Sequence, residues 1–219
     1  MITYTSQLLF FLEVLIFSSV IFMHLSRKNS SVISLYLLQS LIIAILMFGS
    51  SLKRASWSLF FIALVIFVVK VVIAPYFFHR LIKEHQLKFS ASTYLNGPLT
   101  LIALAILTGL TYSHFFNPLT ILAPQNERTL LLAVAMMLIS IFLIINRKGA
   151  LSQMIGVLSL ENAIVSFAYI TGLEASAGAQ VGILFDIWVW IVIATVFASM
   201  IYQHFGSLDV SAMQHLKEE

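Results

Sequence analysis

Long apolar segments alternate with short polar ones along the whole chain. A helix needs about 20 mostly apolar residues to cross a bilayer. The fourth apolar segment is the shortest in its apolar centre, 99–110, and residues 113–124 after it could form a short interfacial segment, so six or eight spans stay open. The pattern predicts an all-α polytopic membrane protein with about seven transmembrane helices. Their approximate ranges are 4–24, 31–52, 56–78, 96–116, 128–146, 150–172 and 178–203.

Composition excludes a soluble domain. Of the 219 residues, 60% are hydrophobic, the mean hydropathy is +1.01, and only 10% are charged, against about 25% in an average soluble protein. So few charges could not cover so much apolar surface in water. The net charge of +3 comes from basic residues in the predicted loops, so it gives no reason to expect nucleic-acid binding.

Lys and Arg are distributed unevenly between alternate loops, and their excess marks the cytoplasmic side. The N-terminus is therefore predicted outside and the C-terminus in the cytoplasm. The first apolar segment lacks a basic region before it and a small-residue cleavage site after it, so we expect it to remain as a membrane helix. The cytoplasmic set is Arg27, Lys28, Arg80, Lys83, Lys88, Arg147, Lys148 and Lys217, and the opposite set is Lys53, Arg54 and Arg128.

The chain has no cysteine. Disulfides and Cys-ligated iron–sulfur or zinc sites are thereby excluded. We expect no cofactor and no metal in this chain, and electron transfer in any assembly that contains it would take place in another subunit.

Four charged residues fall inside predicted spans: Glu13, Lys70, Glu161 and Asp186. A charge near the bilayer centre costs about 2.5–3.5 kcal/mol on insertion scales. Glu161 lies at the centre of its span, with Lys70 about 4–5 Å towards the cytoplasm and Asp186 about 6 Å towards the outside. Lys70, Glu161 and Asp186 are the predicted proton or ion relay, and Glu13 is a possible fourth member. The alternative is a fixed salt bridge from Lys70 to either acid that only fastens helices.

Pro75 follows Lys70 in the stretch F-V-V-K-V-V-I-A-P. In an α-helix, proline removes the hydrogen bond to the carbonyl four residues back, here that of Val71. The sequence therefore predicts a helix break near Lys70, with a polar carbonyl that suits a hydrated pocket.

Three stretches carry a family resemblance: K-V-V-I-A-P (70–75), N-R-K-G-A-L-S-Q-M-I-G-V-L-S-L-E-N-A (146–163), and D-I-W-V-W-I-V-I with the tail H-F-G-S-L-D-V-S-A-M-Q-H-L-K (186–193 and 204–217). Over 25–217 the chain resembles hydrogenase-4 component E, the membrane subunit of formate hydrogenlyase-type complexes. Over 146–217 it is similar to the K subunit of respiratory complex I and to the C subunit of Mrp-type sodium/proton antiporters.

The resemblance implies a non-redox subunit of a complex in the cell inner (cytoplasmic) membrane, next to membrane-anchor and antiporter-like subunits. It divides the chain into an N-terminal transmembrane bundle (1–145), K-subunit-like helices (146–203) and a cytoplasmic tail (204–219). Glu161 and Asp186 would correspond to the two K-subunit glutamates. The first of those stands two residues after the motif glycine, where this chain has Leu158, and Glu161 comes three residues later.

These observations predict a subunit of a complex-I-like, ion-translocating complex of the membrane-bound hydrogenase class. The chain itself is expected to catalyse no bond chemistry, and its partners are the lipid bilayer and the other subunits of an oxidoreductase or translocase. The alternatives are a subunit of a cation/proton antiporter, a stand-alone secondary transporter, and a structural anchor. A stand-alone transporter usually has paired broken helices, and only one predicted span is interrupted by proline.

Overall fold

The computed structural model describes residues 6–84 and 93–185 and the isolated helical positions 188, 192, 195, 196 and 199. Within these residues the structure is helical, without a β-strand; the pairing of Thr93 with Arg147 is a single β-bridge. The helices are α1 (Ser6–Leu25), α2 (Asn29–Arg54), α3 (Trp57–Ile66), α4 (Ala74–Glu84), α5 (Gly97–Thr111), α6 (Glu127–Asn146), α7 (Ala150–Thr171) and α8, whose described part is 177–185. A π-helical segment, Phe67–Ile73, joins α3 to α4, and short 3-10 helices cover Asn117–Leu122 and Leu173–Ala175.

Five helices are long and apolar enough to cross a membrane: α1, α2, the continuous helix Trp57–Lys83, α6 and α7. The prediction of an all-α protein with membrane-type helices is confirmed at this level. The predicted fourth span is a shorter apolar helix of 15 residues, α5, and the interfacial segment expected after it contains the 3-10 helix. Most of the predicted seventh span, 178–203, lies outside the described residues.

Helix α7 lies against both α6 and α2 at the centre of the bundle, and α2 also contacts α1, α3 and α4. A glycine brings α6 and α7 together. A Cβ atom added at Gly156 would lie 2.9 Å from Cγ1 of Ile144 and 3.3 Å from its backbone nitrogen. The glycine of the second motif therefore permits a close helix approach.

Gly156→Ala is expected to lower the free energy of unfolding by about 1–3 kcal/mol, the usual cost of overpacking a filled core. Denaturant-induced unfolding of the purified chain in detergent micelles would measure it. Gly109→Ala is the matched control, because a Cβ atom at Gly109 meets nothing within 4 Å. Equal stability of both variants would show that α6 and α7 do not approach this closely.

The loop between α6 and α7 also fixes the end of α1. Arg147 is 3% exposed, and its Nη2 donates hydrogen bonds to the carbonyls of Met23, His24 and Ser26, at 2.9 Å for His24 and 2.7 Å for Ser26. These carbonyls stand at the end of α1, where backbone acceptors lack helical donors. Arg147 was predicted to lie in a loop, and it does; its burial as a cap was not predicted.

Candidate functional site

Two of the predicted relay residues meet inside the bundle. Lys70 is 1% exposed and Glu161 5% exposed. Nζ of Lys70 lies 3.0 Å from Oε2 of Glu161 and donates a 3.0 Å hydrogen bond to Oδ1 of Asn162. The structure thus joins the continuous helix α3–α4 to α7 through a buried ammonium–carboxylate pair.

The backbone around Lys70 is π-helical. Its last such hydrogen bond runs from Ala74 N–H to the Val69 carbonyl. Pro75, the next residue, has no N–H to donate within the helix. The helix does not break at Pro75, since α4 runs through it from Ala74 to Glu84; the departure from α geometry lies in the turn before.

Asn162 connects the ion pair to α2. Its Nδ2 donates a 3.1 Å hydrogen bond to Oγ of Ser40, and both residues are fully buried. Tyr36, one turn before Ser40 on α2, is also fully buried and lies near Glu161. The sequence analysis gave Asn162 no role. Its position directly after Glu161, in a helix with few large polar side chains, was the available signal.

The pair borders a cavity of about 400 Å³ between α7 and α8. This volume is large enough for water, for which Lys70 and Glu161 supply the polar partners. The remaining lining residues are apolar or small: Ile164, Val165, Ala168, Ala179, Gly182, Ile183 and Phe185. Burial has therefore not sealed the pair in continuous packing on every side.

Of the two other predicted relay residues, the structure describes only Glu13. Asp186 lies outside the described residues; in the sequence it follows Phe185, which lines the cavity. Glu13 is completely buried on α1, where it accepts a hydrogen bond from Oγ of Ser166. Ser166 lies one turn from Asn162 on α7, so Glu13 contacts the same helix at a different level.

Comparison of the chain with family models, curated proteins and solved structures finds no match. The resemblance to hydrogenase-4 component E therefore remains a prediction that rests on the three motifs.

The geometry allows two kinds of action. An ammonium and a carboxylate 3.0 Å apart are within hydrogen-bond reach, the distance that direct proton exchange requires. The same contacts can also fasten three helices, because Lys70 and Asn162 link the α3–α4 helix, α7 and α2. A fastener works best in dry packing, whereas proton exchange needs a neighbouring donor or acceptor.

Proposed function

We propose that the chain is a non-redox integral membrane subunit of a complex-I-like, ion-translocating complex of the membrane-bound hydrogenase or formate hydrogenlyase class. In this proposal it crosses the cell inner membrane seven times, with the N-terminus outside and the C-terminus in the cytoplasm. Lys70, Glu161 and Asp186 relay protons or charge between the redox arm and the antiporter-like subunits. The observation that carries the relay is the buried Lys70–Glu161 pair beside a cavity of about 400 Å³.

The cost of burying two charges favours a pair that exchanges protons over a pair that only joins helices. Removing two charges from water costs several kcal/mol per ion, and well-packed apolar residues of similar volume often stabilise a protein as well or better. A pair that only joined helices would therefore add little. A pair that exchanges protons needs ionisable groups, and its desolvation cost is then part of its function.

Electrostatic coupling within the pair is strong enough to transmit a change of charge. Two unit charges 3.0 Å apart interact by roughly 5–6 kcal/mol at an effective dielectric constant of 20. Neutralising one member changes the electrostatic energy of the other by that order. A protonation event at Glu161 would thus be felt at Lys70 and, through Lys70, at Asn162.

The π-helical segment supports the same proposal. Segments of this kind are frequent at functional sites, and this one contains Lys70 within a helix that continues on both sides. Pro75, just after the segment, supplies no N–H to its carbonyls.

One observation favours a second candidate, a structural anchor. Lys70, Asn162 and Ser40 form a continuous hydrogen-bonded chain across three helices, the arrangement expected of a helix clasp. An anchor predicts that neutralising the acid leaves ion movement intact wherever the complex still assembles.

Glu161→Gln, tested in the assembled complex in native membranes, separates the two candidates. The amide keeps an oxygen for Lys70 but cannot take up a proton, so we expect ion translocation to fall at least tenfold while the subunits still co-purify. Glu127→Gln makes the same change at an exposed position at the start of α6 and should leave translocation unaltered. Normal pumping by a normally assembled Glu161→Gln complex would refute the relay.

A further inference from the structure

A second, polar hollow lies at the end of the bundle where α1 begins and α2 and α7 end. Its volume is about 700 Å³, and we call it the vestibule. Its lining includes Leu9, Ser50, Arg54, Ile170 and Glu174. The face of the bundle that carries it is called here the N-terminal face; the count of basic residues predicts that this face is the outer one.

Glu174 is a buried acid in the wall of the vestibule. Gly172 ends α7 in the left-handed conformation (φ 76°), and the following 3-10 turn contains Glu174, which is only 2% exposed. Its Oε1 accepts a 2.9 Å hydrogen bond from Ser50 and lies 3.2 Å from Nη2 of Arg54. No described residue donates a hydrogen bond to Oε2. A buried carboxylate oxygen without a donor is costly.

Glu13 lies directly below the vestibule. Leu9 and Ile170 line the vestibule, and one helical turn further in, on the same faces of α1 and α7, are Glu13 and Ser166. The Ser166 hydroxyl donates to Oε2 of Glu13. Oε1 is buried and has no hydrogen-bond partner in the described part of the chain. A second acid with an open acceptor thus follows the first towards the membrane interior.

The next polar group inwards belongs to the candidate functional site. Ser166 and Asn162 are four residues apart on α7, an axial separation of about 6 Å. A proton route through both residues therefore requires one water molecule between their side chains, whose immobilisation costs entropy. Asn162 in turn accepts a hydrogen bond from Lys70. On α7, Ser166 and then Asn162 therefore follow the vestibule residue Ile170 inwards at intervals of one helical turn.

We infer that the vestibule, Glu13 and Ser166 form an access route for protons between the N-terminal face and the Lys70–Glu161 pair. A proton from vestibule water binds the Glu13 carboxylate. Glu13 then donates a proton to the Ser166 hydroxyl oxygen while that hydroxyl gives up its own proton to bridging water, and the Glu161 carboxylate of the pair finally takes up the proton. Glu13 returns to its starting state, and each O–H bond that breaks is matched by one that forms. The inference rests on the proposed function, because the route has a purpose only if the pair exchanges protons.

Because the chain contains no cysteine, single cysteines can test access of a small ion along this route. The assembled complex in sealed vesicles is treated with silver ion, a small thiol-reactive cation, from one face. A thiol that has bound silver no longer reacts with an alkylating reagent added afterwards, so the loss of alkylation of this subunit measures access. We expect Ile170→Cys and Ser166→Cys to react from the N-terminal face, with Ser166→Cys no more than about tenfold slower. Ser19→Cys is the buried control, since that hydroxyl bonds within its own helix, to Ile16, and it should not react. Reaction at position 170 without reaction at 166, or at neither, would overturn the route.

Translocation assays then separate this inference from the proposed function. We expect Glu13→Gln to reduce ion translocation at least fivefold, and Ser166→Ala serves as a second variant if the first fails to assemble. A loss with Glu161→Gln and none with Glu13→Gln or Ser166→Ala would refute the access route and leave the proposed function standing. Normal translocation in all three variants would refute both.

Discussion

Lys70→Met is expected to lower the free energy of unfolding of the chain by about 3–5 kcal/mol, because it leaves the carboxylate of Glu161 buried without its cation. Lys70 is among the largest completely enclosed side chains, and Glu161 is 5% exposed. Methionine retains most of the lysine volume, so the loss of charge, rather than a cavity, dominates the cost. Unfolding of the purified chain in mixed micelles, as the fraction of a denaturing detergent is increased, would measure this loss.

The double variant Lys70→Met/Glu161→Gln should recover most of that stability, to within about 1–2 kcal/mol of the natural chain. Replacing a whole buried ion pair by uncharged groups is often close to neutral, whereas removing one partner is not. The cycle of two single variants and the double variant isolates the pair energy. Equal destabilisation in the single and the double variant would show that Lys70 and Glu161 do not act as an ion pair.

The sequence predicted which residues are costly to bury, but it left open which of them contact each other. Hydropathy and depth drew attention to Lys70 and Glu161, and the structure brings these two together. Asn162 was missed because an amide costs much less in a membrane helix than a charge, so composition alone did not single it out. The contact between Glu13 and Ser166 depends on how α1 is rotated against α7, which the periodicity of either helix leaves undetermined.

Local backbone geometry was predictable only in part. Pro75 correctly drew attention to the helix around Lys70, but counting in α-helical turns did not predict that the segment Phe67–Ile73 is π-helical. A π-helical turn holds one more residue than an α-helical turn, and its hydrogen-bond register depends on packing. Arg147 and Glu174 were missed for a related reason. Both lie next to helix ends, where sequence analysis expects solvated charge, yet both are buried by neighbouring segments.

The second large effect concerns the cavity beside the ion pair. Gly182→Leu is expected to reduce ion translocation at least tenfold without destabilising the chain. Gly182 lines the cavity of about 400 Å³, and a Cβ atom there meets no atom within 4 Å, so leucine can enter the space without a clash at its first carbon. Its apolar side chain would displace water that Lys70 and Glu161 need for proton exchange. Proton uptake by sealed vesicles that contain the complex is the measurement.

Gly178→Leu provides the matched control for Gly182→Leu. It lies one turn earlier on α8, and its Cβ position is equally open. It does not line the cavity, so translocation should stay normal. If both variants pump at the natural rate, the cavity carries no water that the pair uses; if both fail equally, the loss reflects α8 itself or its contacts with other subunits. Only failure of Gly182→Leu with normal pumping by Gly178→Leu assigns the effect to the space beside Lys70 and Glu161.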